Sequence, residues 1–330
     1  MSSDLGREPA DRRERAWLKF LRHAPESAVQ AAAGSVARSR PLALEPGWHF
    51  DNSAGDPSPL VRFRRDLWQY YRERGIDRPV TLRWYDGLRV RTFLGNDMSL
   101  CLYVGGSFEP NEFVFLDTVL RTGMTFIDGG ANDGIYSLFA AKRVGASGAV
   151  IAVEPSSREY QRLRENLRLN SLPVETVQAA LGSTSGKATL AIAEAGHEGQ
   201  NTIGDAVSNP KVATREHESV VVTTIDELAG DRRLDLLKLD VEGSEVDALL
   251  GGTETLRRDR PLILLEAEAE RLASQARTKD DLRAVLAELE YELYVFDSET
   301  GLLRPASAPA EPEGNAVAAP AGWTPPATSR

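Results

Sequence analysis

The sequence predicts an α/β fold, a doubly wound and mainly parallel sheet with a C-terminal antiparallel hairpin strand, preceded by an N-terminal α/β extension. Three observations predict it. From residue 124 onward, short apolar strands alternate with amphipathic helical stretches, the rhythm of a parallel sheet with helices on both faces. A glycine-rich turn, Asp128-Gly129-Gly130-Ala131-Asn132-Asp133-Gly134, joins the first of these strands to the first helix. The alternation ends in two strand-like runs, 291–297 and 301–305, whose short connection makes one of them antiparallel.

The elements follow in order. Residues 1–10 read as a disordered lead and 11–33 as helical, anchored by Trp17, Leu18 and Leu21. Gly, Pro, Ser and Asp crowd 34–60, which reads as a loop-rich linker, and a helix is expected over 59–74. Two alternating runs over 80–94 flank Asp86-Gly87, a strong hairpin signal, and a further strand is expected near 98–104. Pro110 opens a helix that carries Phe113, Leu116 and Leu120 and stops at Gly123. Strands are then expected at 124–128, 149–154, 174–181, 234–240 and 261–266, with helices after the glycine turn, from Pro155, near Thr224, over 244–258 and over 279–290. Residues 183–223 read as an irregular excursion with strands near 187–193 and 219–223. The expected organisation is an extension (1–108), a main domain (109–305) and a disordered Pro- and Ala-rich tail (306–330).

Composition narrows the function. The 330-residue chain carries a formal net charge of −10, which argues against a general nucleic-acid binder, because phosphate neutralisation needs clustered Lys and Arg. The single cysteine, Cys101, reads as a core residue and excludes an internal disulfide or a Cys-rich zinc site. No apolar run is long enough for a membrane span, and the charged start lacks the apolar stretch of a secretory signal, so a cytoplasmic enzyme is expected.

The chemistry is expected at the carboxyl ends of the strands, where doubly wound sheets bind ligands. Gly129, Gly130 and Gly134 let the main chain turn tightly and approach a ligand. Their spacing departs from the G-x-G-x-x-G of dinucleotide folds and lacks the Gly-Lys-Ser/Thr of a phosphate loop. Glu154 ends the next strand, 20 residues after Gly134, where a carboxylate can accept hydrogen bonds from both hydroxyls of a ribose. Lys238, Asp240 and Glu242 alternate around the end of the 234–240 strand, with Glu266 and Glu268 at the end of the next. Such charges are costly unless paired, bound or wet, so they mark either a site or a structural Lys–Asp pair.

These stretches together resemble the FkbM family of S-adenosylmethionine-dependent methyltransferases. The resemblance covers about residues 109–305 and is carried by FEPNEF (108–113), TFIDGGANDGIYSL (125–138), VIAVEP (150–155), LRENLRLN (163–170), QAALG (178–182), DLLKLDVEGSEVDALLGG (235–252) and RPLILLE (260–266). Gly129 departs from it, since the family more often carries Val or Ile there. The resemblance implies a class I methyltransferase Rossmann-like fold and O-methylation of a sugar or natural-product hydroxyl, a small-molecule acceptor. It implies that Asp128, Gly130, Asn132 and Gly134 surround the methionine half of the S-adenosyl-L-methionine cofactor, with Gly129, Tyr136 and Pro155 completing the set. Glu154 then holds the ribose, Gln178 and Ala179 border the adenine, and Asp240 and Glu242 face the acceptor.

The acceptor hydroxyl has to lose a proton, and the candidate bases are Asp240, Glu242, Glu266 and His197, with Lys238 in the same cluster. Asp240, Glu242 and Glu266 also suit an oxygen-ligand site for Mg²⁺. His197 and His217 lie in the polar excursion near Gln200-Asn201, a segment that could cover the acceptor. Two rivals are an NAD-dependent oxidoreductase, against which the glycine spacing and terminal hairpin speak, and a catalytically inactive methyltransferase-like binding protein, against which the intact turn and Glu154 speak.

Overall fold

The structure is a computed structural model and describes residues 12–39, 59–307 and 312–326. The chain divides into two compact units, Met1–Pro110 and Asn111–Arg330. The expected lead at 1–10 lies outside the described residues, as do 40–58 of the expected linker.

The first unit holds α1 (Arg12–His23), α2 (Glu26–Ser39), α3 (Pro59–Arg74), β1 (Arg78–Arg83) and β2 (Arg89–Leu94). The single helix expected over 11–33 is two helices, because Pro25 has no N–H to continue the first one. The helix α2 then runs through 34–39, which the sequence reading gave to a linker. The hairpin turns at Asp86-Gly87, both in the left-handed region (φ 52° and 78°), and Leu88 N–H donates to Tyr85 C=O at 3.0 Å. Both signs of φ are those of a type I′ turn, which matches strand twist. The strand expected near 98–104 is instead helical. Asn96 caps a short turn by accepting from Ser99 N–H at 2.8 Å, and Leu100–Gly105 continues as a π-helical turn to Gly106 (φ 83°). Leu102, Tyr103 and Val104 are all buried, a continuous apolar run that helix and strand share.

The second unit is built on an eight-stranded sheet. Its elements are α4 (Pro110–Val119), β3 (Thr125–Gly129), α5 (Ile135–Val144), β4 (Ala149–Val153), α6 (Ser157–Asn170), β5 (Glu175–Val177), β6 (Ala180–Leu181), β7 (Gly186–Ala193), β8 (Thr202–Ile203) and β9 (Thr214–Thr223). They continue as α7 (Ile225–Ala229), β10 (Leu236–Leu239), α8 (Glu245–Leu250), α9 (Thr253–Asp259), β11 (Leu262–Glu266), α10 (Ala269–Ser274), α11 (Lys279–Glu288), β12 (Tyr291–Phe296), β13 (Leu303–Pro305) and β14 (Asn315–Pro320). The strand order is β13-β12-β14-β11-β10-β3-β4-β5. Strands β11, β10, β3, β4 and β5 run parallel, and their side chains form a core that includes Ile127, Ile151, Leu237, Leu239, Ile263 and Leu265, each at most 1% exposed. The chain leaves β3 for β4 on one side and reaches β10 on the other, so a topological switch point falls at β3.

The structure differs from four expectations. The tail was expected to be disordered, yet Asn315–Pro320 forms β14, inserted between β11 and β12 and antiparallel to both. Ala316, Val317, Ala318 and Ala319 are fully buried, so small side chains fill a tight slot that a hydrophobicity pattern does not reveal. The expected hairpin of β12 and β13 exists, but it forms the sheet edge, and β14 supplies the antiparallel strand within the sheet. The strand expected over 174–181 is two strands, β5 in the main sheet and β6 in a second sheet of order β6-β9-β7-β8 built from the excursion. The helix expected over 244–258 breaks at Gly251-Gly252, where a Cβ on Gly251 would stand 2.1 Å from the Gly182 carbonyl.

Candidate active site

The parallel register sets Gly129 beside Leu239 on one flank and Val153 on the other. The residues that follow each strand therefore converge. Gly130 and Ala131 N–H both donate to Val153 C=O (3.0 and 2.9 Å), and Asp240 N–H donates to Gly129 C=O (3.2 Å). Between these strand ends lies a narrow cleft. Gly130, Asn132, Glu154, Pro155, Ala179, Asp240 and Glu242, all singled out from the sequence, line it.

Gly130 is needed for a reason the sequence reading did not supply. It sits at φ 72°, and a Cβ there would stand 1.8 Å from the Asp240 carbonyl oxygen. Its missing side chain lets two strand-end loops touch; the neighbour in that space is protein rather than ligand.

Glu154 is 5% exposed and turned toward the glycine loop. Its Oε2 accepts from Asn132 N–H at 2.9 Å and its Oε1 from Ser156 N–H at 2.9 Å. A carboxylate has about four lone-pair sites, so two remain for a ligand in the cleft. Burial raises the Glu154 carboxyl to about 8, Glu159 adds to the rise, and the two N–H donors oppose it.

Lys238 and Asp128 are register partners on neighbouring strands, which places both side chains on one face. The Lys238 ammonium donates to Gly130 C=O at 2.9 Å, stands 3.5 Å from Asp128 Oδ1 and 3.4 Å from Asp240 Oδ2, and lies 4.8 Å from the centre of the Tyr136 ring. Asp128, fully buried, also accepts from Ser137 Oγ at 2.5 Å. Lys238 thus ties the glycine turn to the acidic loop from behind the cleft wall. Neither it nor Asp128 lines the cleft.

The acidic loop carries its own brace. Glu245 Oε1 accepts from Val241 N–H (3.1 Å) and Gly243 N–H (3.3 Å), and burial raises its carboxyl to about 7. Glu242 adopts φ 53°, uncommon for a residue with a side chain, and is 6% exposed. Burial raises its carboxyl above the ordinary range, against the pull of Arg271. Oxygens of Asp240, Glu242 and Glu266 lie within 4.8 Å of one another.

Other expected site residues fall elsewhere. Gly134 packs on Leu163, Tyr136 stacks on Phe113 with centroids 4.5 Å apart, and Gln178 is exposed and donates to Ser157 Oγ at 3.0 Å. Gly129 packs against Leu181 and Leu239, and Glu266 pairs with Arg271 at 2.9 Å and does not line the cleft. His197 does not line the cleft, and His217 pairs with the Asp205 carbonyl at 3.0 Å. The opposite wall comes from the excursion expected to cover the acceptor, but through residues not singled out from the sequence as site residues, Glu198, Gly199, Asn201 and Ile203. Asn201 accepts from Ala193 N–H at 2.9 Å and donates to Glu159 of α6 at 3.2 Å, which fixes that wall. The Gln200-Asn201 pair was a visible signal, but nothing local tied it to α6.

The strand order, the inserted antiparallel strand and a cleft at the β3 switch point define a class I methyltransferase fold. The methyltransferase FkbM domain matches residues 128–293, and the chain belongs to this FkbM family. Methyltransferase sdnD of Sordaria araneosa is 28% identical over 39% of this chain; the match spans 60% of that relative. Among solved structures, methyltransferase FkbM from Methylobacillus flagellatus KT is similar with 15% identity and a TM-score of 0.41, covering 92% of this chain and 60% of that one. A SAM-dependent O-methyltransferase from Thermotoga maritima is similar with 15% identity and a TM-score of 0.38, covering 74% and 78%.

Proposed function

We propose that the chain transfers a methyl group from S-adenosyl-L-methionine to a hydroxyl of a small molecule, a saccharide or natural product. The observation that carries this reading is Glu154, a buried carboxylate held toward the glycine turn in a cleft that Asp240 and Glu242 also line. The donor set suits the cofactor. Glu154 would grip the ribose hydroxyls, Pro155 and Ala179 would border the adenine, and Gly130 and Asn132 would face the methionine half.

When bound, S-adenosylmethionine supplies an electrophilic methyl, whose carbon–sulfur bond breaks with its electron pair left on sulfur. The chain supplies the rest. The excursion wall and the strand ends would confine the acceptor, exclude water and orient the hydroxyl for transfer. Glu242 takes the hydroxyl proton as the carbon–oxygen bond forms, and Lys238 and Glu245 hold the loop that carries it. The net charge of −10 and the narrow cleft favour a small acceptor over nucleic acid. Among the described residues no helix is long and apolar enough to cross a membrane.

Calorimetric titration with S-adenosylmethionine and with NAD tests the reading, followed by a mass-spectrometric methyl-transfer screen against hydroxylated sugars and natural products. Binding of S-adenosylmethionine alone and a mass gain of one methyl are expected. Binding of NAD alone points to the oxidoreductase, and binding without transfer to any acceptor points to the inactive binding protein. Glu154→Ala is expected to weaken cofactor affinity by about 1–3 kcal/mol, roughly 5- to 150-fold, through lost charge-assisted hydrogen bonds. Unchanged affinity removes the ribose role.

Binding should also release protons. In the free protein the Glu154 carboxyl titrates at about 8 and is mostly protonated at pH 7. Ribose hydroxyls donate to the charged form and favour it, so the group loses its proton on binding. Affinity should rise with pH from 6 and level off above about 8. Calorimetry at pH 7 in buffers of different ionisation heat checks the sign; proton uptake, or none, contradicts it.

A further inference from the structure

The acidic loop holds a cation of its own. Arg271, on α10, directs Nη1 to both Glu242 and Glu266 (2.9 Å to the latter), and its Nε donates to Glu268 at 2.7 Å. The helix that carries it is pinned on two sides. The Arg271 carbonyl oxygen fills the space of a Cβ on Gly243, which would come within 2.3 Å of it. Gln275, one residue past the helix, donates to Ile203 C=O at 2.6 Å and so ties α10 to the excursion wall. Guanidinium is planar, permanently charged and able to fork between carboxylates, which suits it to a cluster of strand-end acids.

Asp240, Glu242 and Glu266 have the chemistry and spacing of an oxygen-ligand set for a divalent ion. Two of the three are already engaged by Arg271, and Lys238 stands 3.4 Å from the third. A divalent ion centred among them would have to displace the guanidinium from two carboxylates, Glu242 buried and Glu266 half-buried, and then stand against two fixed positive charges. Arg271 instead joins three parts of the site: the loop after β10, the end of β11 and, through α10, the excursion wall.

We propose that Arg271 is the built-in cation of this site, a positioning residue that takes the place of a divalent ion among Asp240, Glu242 and Glu266 and makes methyl transfer by this chain independent of metal. The proposal rests on the methyltransferase reading above and deepens it.

The test uses the intact chain. Mn²⁺ titration followed by electron paramagnetic resonance is expected to show no bound ion up to about 1 mM. Turnover is expected to be the same with and without EDTA. Arg271→Met keeps an unbranched apolar stem and removes the charge. It is expected to lose turnover about 10- to 100-fold, to bind Mn²⁺, and to recover part of its turnover with added Mg²⁺, while S-adenosylmethionine affinity stays within about twofold. A merely structural role predicts neither the gained ion nor the rescue. Submillimolar Mn²⁺ binding by the wild-type protein that disappears in Glu266→Gln overturns the proposal and leaves the methyltransferase reading standing. Wild-type turnover in Arg271→Met overturns it as well. Should that variant fail to fold, Arg271→Lys keeps the charge without the fork and is expected to lose turnover without gaining Mn²⁺; wild-type turnover there overturns the proposal. Absence of S-adenosylmethionine binding by the wild-type chain removes the proposed function and this inference with it.

Discussion

Gly130→Ala is expected to lower the melting temperature by about 5–15 °C and to weaken S-adenosylmethionine binding at least about 10-fold. Two costs add. Alanine at φ 72° meets the steric penalty of the left-handed region, about 1–2 kcal/mol. Its Cβ also lands 1.8 Å from the Asp240 carbonyl oxygen, a backbone atom that cannot rotate aside, so one loop must move. Forced overpacking of this kind costs a further ~1–3 kcal/mol. The displaced loop is the one that presents Asp240 and Glu242, and the glycine turn carries the Asn132 N–H that orients Glu154. Stability and cofactor affinity therefore fall together. Gly186→Ala is the control: nothing lies within 4 Å of a Cβ there and its φ is ordinary, so its melting temperature should stay within about 2 °C of wild type. Thermal melts and cofactor titrations on both variants decide the matter, and wild-type behaviour of Gly130→Ala contradicts the close approach of the two loops.

The parts of this molecule legible in its sequence are those with local causes. Asp86-Gly87 announces its turn because both residues tolerate positive φ, and β3, β4, β10 and β11 announce themselves as short apolar runs before turn residues. Glu154 is legible because its place after β4 is set by counting along one βαβ unit. What stays hidden depends on partners distant in sequence. The strand β14 has four small buried residues and prolines nearby, and only the slot between β11 and β12 makes it a strand. Residues 174–181 look like one strand until Gln178-Ala179 carries the chain from one sheet to another. The resemblance implies Asp128 beside the cofactor, but its partner Lys238, from the neighbouring strand, shows only in the register. Arg271 gave no signal, because its partners Glu242 and Glu266 come from two other strand ends.

Glu242→Gln is expected to lower kcat by about 10²- to 10⁴-fold, the range for loss of a general base, while the dissociation constant of S-adenosylmethionine changes by less than about threefold. Two carboxylates line the acceptor side, and their surroundings separate them. Asp240 has a side chain 34% exposed and is engaged by Lys238 at 3.4 Å. Glu242 is ion-paired with Arg271 but buried, and that burial raises its proton affinity above the ordinary carboxylate range even against the pull of the guanidinium, toward the pH at which a base both accepts and releases a proton. Its left-handed backbone, braced through Glu245, fixes where the carboxylate points. Glutamine keeps the size and the polar oxygen but cannot take the proton. Asp240→Asn is expected to slow transfer as well, by a smaller factor, with cofactor affinity nearly unchanged. Single-turnover rates with saturating cofactor, beside binding titrations on each variant, separate chemistry from binding. If Glu242→Gln turns over like wild type while Asp240→Asn is inactive, the proton goes to Asp240, and the strained conformation at Glu242 serves only to seat Arg271.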